Sequence, residues 1–374
     1  MNFKITKQSK TTLARTGKFV TPHSTVETPV FMPVGTNGSV KGISPDEIQK
    51  MGYQIILGNT YHLYLRPTSE LIKTMGGIQK FINWPGSILT DSGGYQVFSL
   101  GQNYDNHGKN TEASLTTVVK RGVWFRSHLD SSKHLFTPEK VIDIQRNLGS
   151  DIMMVLDECT EFPATHERAE KSMQTTHRWA KEASDYWQSI KKPDQALFGI
   201  VQGSTFEDLR EESAKFISSL NFDGIAVGGV SVGEGKEHMY QVMKWVGPLL
   251  PKDKPHYLMG IGEPEDIIEA VKWGFDMFDC VLPTRLGRHG AVWVTEDWQK
   301  FPKIDLRKTK FKEDKTVLMK GCECPACSGG YTKSYLSHLI RSGEMLGMRL
   351  LSLHNLWILA ELMRKIRANK LNHF

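Results

Sequence analysis

Residues 277–284 read Met-Phe-Asp-Cys-Val-Leu-Pro-Thr. Two apolar side chains lead to Asp279, and Pro283, which cannot donate to a sheet ladder, stops the strand just beyond it. A carboxylate at the end of an apolar strand costs desolvation unless it is paired or used. A buried structural ion pair and a reactive group are both open readings here, and the rest of the chain decides between them. VFMPVG (30–35), QIILGNTY (54–61), SILTDSGG (87–94), DIMMVLDE (151–158), ALFGIVQG (196–203), GIAVGG (224–229) and HYLMGIG (256–262) are seven further apolar runs, each followed by Gly, Pro or a polar cluster. Helix-like stretches separate most of them. Ser44-Pro45-Asp46-Glu47, Thr137-Pro138-Glu139 and Glu263-Pro264-Glu265 each place proline at a first helical position. Continuous apolar strands alternating with helices form a parallel sheet, and eight such units predict a TIM (β/α)8 barrel.

The polar residues agree with a barrel. Asn59, Asp91, Asp157 with Glu158, Gln202, Gly228 with Gly229, Gly260 and Asp279 all stand where a strand ends. A barrel gathers such residues on one face, where its active sites are built, whereas an open doubly wound sheet spreads them along a crevice. Two segments exceed a bare barrel. Residues 101–136 include an alternating stretch that predicts an inserted hairpin with Asp130-Ser131-Ser132 at its turn. Everything beyond about Trp298 forms a second part, so the expected division is a catalytic body, 1–298, and a subdomain packed on it, 299–374.

Asp91 and Asp279 on one face can divide the work of general acid/base and nucleophile, as glycosyl-bond chemistry requires. Ser92, Asp157, Cys159, Gln202, Gly229 and Val230 offer a carboxylate, an amide and backbone groups at the same rim, a set suited to the edge of a planar heterocycle. Tyr95 and Met259 can cover its faces, although plain core packing is the commoner role of either residue taken alone.

Three of the five cysteines, Cys322, Cys324 and Cys327, crowd one segment. That usage fits a metal site in a reducing compartment better than a disulfide framework. With His354 they make a Cys3His set that closes a tetrahedron around Zn2+, a structural site without an open position. His354 is preferred to His338 because LLSLHNLWIL predicts a helix packed on the site. Residues 300–374 carry 15 Lys and Arg against 6 Asp and Glu, so the net charge of +6 belongs to the C-terminal part. A basic appendage suggests a polyanionic partner, with a solvated lysine face as the plain alternative. No apolar run approaches the ~20 residues of a membrane span, and a cytoplasmic enzyme is the expectation.

NTYHLYLRP, DSGGYQVFSL, FRSHLD, DECT, GIVQGS, AVGGVSVGEG, YLMGIG, FDCVLPTR and CxCxxC…H resemble, in order, the motifs of the bacterial tRNA-guanine transglycosylases, or queuine tRNA-ribosyltransferases. The resemblance implies a zinc-containing barrel, a homodimeric pentosyltransferase of queuosine biosynthesis that exchanges the wobble guanine of a tRNA for a 7-deazaguanine base without ATP. It makes Asp279 the nucleophile and Asp91 the general acid/base. Ser92, Asp157, Cys159, Gln202, Gly229 and Val230 then line the base pocket, with Tyr95 and Met259 stacking and Arg285 and Arg288 on the tRNA. Cys159 and Val232 follow the bacterial pattern, which implies 7-aminomethyl-7-deazaguanine. Its ammonium would meet the Val230 carbonyl with Glu234 behind it, unless Glu234 merely caps the following helix. A metal-dependent barrel hydrolase would need histidine ligands that this rim lacks, and a non-catalytic tRNA-binding subunit would have no need of Asp279.

Overall fold

The computed structural model describes residues 1–101, 116–191 and 194–368. Its centre is a closed parallel barrel of eight strands: Val30–Gly35, Ile55–Gly58, Ser87–Thr90, Ile152–Met154, Ala196–Val201, Gly224–Val227, His256–Leu258 and Met277–Cys280. These are the first to eighth barrel strands below. Each lies within one of the apolar runs, and the eighth closes on the first with Asp279 opposite Met32. Nearly every strand residue is buried, the pattern of a sheet covered on both faces.

Local chemistry fixes the helix starts. Ser44 and Glu47 form a reciprocal capping box at Pro45–Lys50, and the Thr137 side chain caps Pro138–Leu148 by accepting from the Lys140 N–H. Glu263 occupies the same position before Pro264–Lys272 but makes no side-chain cap.

The inserted segment, where described, is a three-stranded antiparallel sheet, Thr116–Val119, Gly122–Arg126 and Lys133–Phe136. Asp130-Ser131-Ser132 stands in the connection before the last strand, with Ser131 at φ 62° and Asp130 Oδ1 accepting from Ser132. The expected region from 102 to 115 lies outside the described residues.

An N-terminal antiparallel sheet, Phe3–Gln8, Arg15–Val20 and Thr25–Thr28, was not expected. It covers the strands' N-terminal ends. Ser24 Oγ donates to the Gln54 carbonyl, Thr21 bonds Ser87, and the buried Arg15 grips Asp276 with Nε and Nη2 at 3.1 and 2.7 Å. The opposite mouth stays available for chemistry.

The Leu282–Arg288 helix after the eighth strand lies on the long C-terminal helix Met345–Arg367. Asn355 ties them: its Nδ2 donates to the carbonyls of Pro283 (2.9 Å) and Ala291 (3.1 Å), and its Oδ1 accepts from the Trp293 N–H. At Gly287 the helices touch so closely that a Cβ would stand 2.4 Å from the Ser352 nitrogen. Among the described residues no helix is long and apolar enough to cross a membrane.

Candidate active site

Seven of the eight strand ends contribute to one rim. Asp279, at the end of the eighth strand, is half-buried. Its Oδ1 accepts from the Tyr257 hydroxyl (2.6 Å) and the Gly260 N–H (2.8 Å). No described residue donates to Oδ2, so one oxygen is anchored while the other is free to react. Burial raises its pKa, and the two hydrogen bonds oppose that rise.

Asp91 follows the third strand. The Thr60 N–H (2.9 Å) and Gly93 N–H (3.1 Å) donate to Oδ1, and the Asn59 amide donates to Oδ2. Burial, helped by repulsion from Asp279 and Asp157, raises its pKa to about 7 against those donors. Two carboxyls thus share one mouth, one poised to hold or release a proton near neutrality and the other braced on one oxygen.

Asp157 stands beyond the fourth strand. Gln202 Nε2 donates to its Oδ2 (2.7 Å) and Ser92 Oγ to its Oδ1 (3.3 Å). Burial is the main cause that lifts it to about 6. Gln202 Oε1 is buried without a partner, an acceptor left for something else. A Cβ on Gly229, at φ 62°, would stand 2.4 Å from that oxygen, so only glycine fits. Glu158 turns away to Arg168 at 2.8 Å, and burial holds the Cys159 thiol neutral, at about 12.

Tyr95 is 53% exposed, whereas Met259 is half-buried and packs against the core. Val230 is buried. The buried Glu234 carboxylate accepts from the Ser231 and Val232 N–H groups and makes no side-chain cap to its own helix. Arg285 is exposed, and Arg288 is half-buried with its Nε unpartnered. A cleft of about 870 Å³ beside Trp298 and Trp357 shares no residue with this rim.

Sequence reasoning missed Tyr257, which aims Asp279, and Arg210, whose guanidinium is wholly buried behind Gly228 and Gly229. Arg210 had a readable signal. It shares the apolar face of its helix with Leu209, Ala214 and Ile217, where a charged residue requires a reason.

Cys322, Cys324, Cys327 and His354 form a buried cluster with ligand atoms within 4.8 Å of one another. His354 Nδ1 lies 3.7, 3.2 and 3.6 Å from the three sulfurs, close to the ~3.6 Å edge of a tetrahedron built from metal–sulfur and metal–nitrogen bonds of about 2.3 and 2.0 Å. His354 Nε2 donates to the Trp293 carbonyl at 2.8 Å, which leaves the Nδ1 lone pair for a metal. The donor set is compatible with a structural metal, and His338 is exposed, outside it.

The model of one family, queuine tRNA-ribosyltransferase, matches residues 9–371. Curated proteins called queuine tRNA-ribosyltransferase are similar over 98% of the chain. That of Desulforamulus reducens is 48% identical, with 94% of its length covered. Those of Caldanaerobacter subterraneus subsp. tengcongensis and Herpetosiphon aurantiacus are 48% and 49% identical, with 92% and 88% covered.

Proposed function

The chain belongs to the queuine tRNA-ribosyltransferase family, and on that premise we propose that it replaces the wobble guanine of a tRNA anticodon with 7-aminomethyl-7-deazaguanine by double displacement. The observation that carries this reading is the pair at the mouth: Asp279 with one oxygen anchored by Tyr257 and Gly260, and Asp91 held at about 7. Asp279 Oδ2 attacks the ribose anomeric carbon. The C1′–N9 bond breaks with its electrons going to the base, which takes a proton from Asp91 and departs, leaving a ribosyl ester on Asp279. The incoming base gives its N9 proton to the Asp91 carboxylate, attacks the same carbon and releases Asp279. Two inversions retain the configuration.

The pocket's donors and acceptors support the purine. Asp157 presents two carboxylate oxygens to the adjacent N1–H and 2-amino donors of a guanine edge, and Gln202 Nε2 and the Gly229 N–H can meet its carbonyl. Tyr95 and Met259 would stack on its faces, and Arg285 and Arg288 would hold the tRNA backbone. For the aminomethyl group, the Val230 carbonyl is an acceptor whose loop is held by Glu234 through Ser231 and Val232. In the Cys3His cluster we assign Zn2+, which contributes fold rather than reaction. A cytoplasmic homodimer, with a catalytic body over 1–298 and a subdomain over 299–374, completes the proposal.

The test is incorporation of radiolabelled guanine into an unmodified tRNA with a wobble guanine. The parent should exchange it, whereas Asp279→Asn should fold, exchange none and form no denaturation-resistant tRNA adduct. Full turnover by that variant would remove Asp279 from the mechanism.

A further inference from the structure

Arg210 is wholly buried and forms no ion pair with any described carboxylate. Its Nε donates to the Ser204 carbonyl (2.7 Å), Nη1 to those of Val201 (3.2 Å) and Gly228 (2.8 Å), and Nη2 to that of Gly229 (2.9 Å). The Glu234 carboxylate attracts it only from beyond ion-pair distance, and a buried cation hydrogen-bonded to carbonyl dipoles alone is expensive, because a paired carboxylate would compensate it far better. Stability alone gives no reason for it.

The peptides it grips suggest one. The Gly228 carbonyl shares its peptide with the Gly229 N–H, and the Gly229 carbonyl with the Val230 N–H. Neither N–H donates to any described group, although Val230 is buried. Two successive peptides thus have their oxygens bound to a guanidinium and their N–H groups unpartnered at the rim. A charge on the oxygen draws electrons through the amide and makes the N–H a stronger donor. Around them stand Asp91, Asp157 and Asp279, so negative charge appearing on a departing base meets repulsion unless something offsets it.

We propose that Arg210 is an electrostatic positioning residue which, through Gly228 and Gly229, charges the Gly229 and Val230 N–H groups to hold the purine while it is an anion, between cleavage or formation of the C1′–N9 bond and its proton exchange with Asp91. The inference rests on the base-pocket reading above. Arg210 itself touches no reacting atom. Burial lowers its pKa only to about 10, so the cation persists at neutral pH.

The experiment compares binding of guanine with that of 8-azaguanine, a close isostere whose ring ionises at lower pH, in the full-length protein. Parent protein should bind 8-azaguanine more tightly as the ligand ionises. Arg210→Met should lose at least tenfold more affinity for the 8-azaguanine anion than for guanine, and lower kcat at least tenfold with KM for tRNA within twofold. Arg210→Lys, which keeps the charge, should recover most of the discrimination. Equal losses for both ligands would reduce Arg210 to a structural brace. Should Arg210→Met not fold, the parent's own pH dependence decides, since an affinity indifferent to ligand ionisation overturns the proposal. A parent that exchanges no guanine into tRNA refutes the function above, whereas one that exchanges it without favouring the anion refutes this inference alone.

Discussion

Asp91 keeps its proton to about pH 7, where an unfolded chain would have lost it near 3.8. A group raised in this way stabilises the fold fully below its unfolded value, and that contribution fades as the pH rises through 7. Asp91→Asn removes the ionisation, so its stability relative to the parent should improve by ~1–3 kcal/mol between pH 4 and 8. Urea denaturation across that range measures this, and a difference that does not change with pH contradicts it. Asp157 has the complementary effect on activity. It must be ionised to accept from the base edge, so kcat/KM for free base should fall as the pH drops below about 6. Gly229→Ala tests the pocket's floor. The new Cβ meets Gln202 at 2.4 Å from a φ of 62°, so KM for the base should rise roughly tenfold, with a stability loss of ~1–2 kcal/mol. An unchanged KM would remove Gly229 from the pocket. Competition between 7-aminomethyl-7-deazaguanine and queuine tests the ammonium's acceptor, and Glu234→Gln should erode the preference for the amine by loosening the loop at Ser231 and Val232.

The elements differ in how much of themselves the sequence displays. Barrel strands are apolar on both faces, so Ile55–Gly58 or Ala196–Val201 stand out as unbroken runs. The caps at Ser44 and Thr137 are local chemistry and equally legible. The Phe3–Gln8 strand is not, because Phe-Lys-Ile-Thr-Lys-Gln leaves most of its residues exposed, and its partner Arg15–Val20 buries an arginine whose mate, Asp276, is distant in sequence. Asp91 and Asp279 were readable as strand-end carboxylates, whereas Tyr257 and Arg210 act through contacts no spacing encodes. The metal segment was read from its thiols, and the apolar setting of His354 singled out the fourth ligand in the cluster. Cys324→Ser should lower metal content and stability together, by several kcal/mol. A folded, metal-free and fully active variant would contradict a structural role.

At the scale of the molecule, the sheet that covers the barrel's lower end is fastened by the buried Arg15–Asp276 pair, whose Asp276 also accepts from the His256 N–H. Asp276→Asn leaves the guanidinium uncompensated and should cost ~3–5 kcal/mol. Chemical denaturation reads that loss, and a cost under ~1 kcal/mol would mean that the sheet relaxes freely. At the other end, Asn355 binds the helix that follows Asp279, and its neighbour His354 belongs to the metal cluster. Gly287 and Ser352 leave no space between those helices. For recombination between relatives, this seam sets where genes can be joined. A crossover near residue 299 would pair one parent's nucleophile helix with the other's seat for it, and a single methyl group at Gly287 would be enough to part them. The exchangeable module therefore begins at Met277 and runs through the C-terminal helix. Chimeras joined before that strand should fold and turn over, while those joined at 299 should lose activity in proportion to the mismatches along the seam.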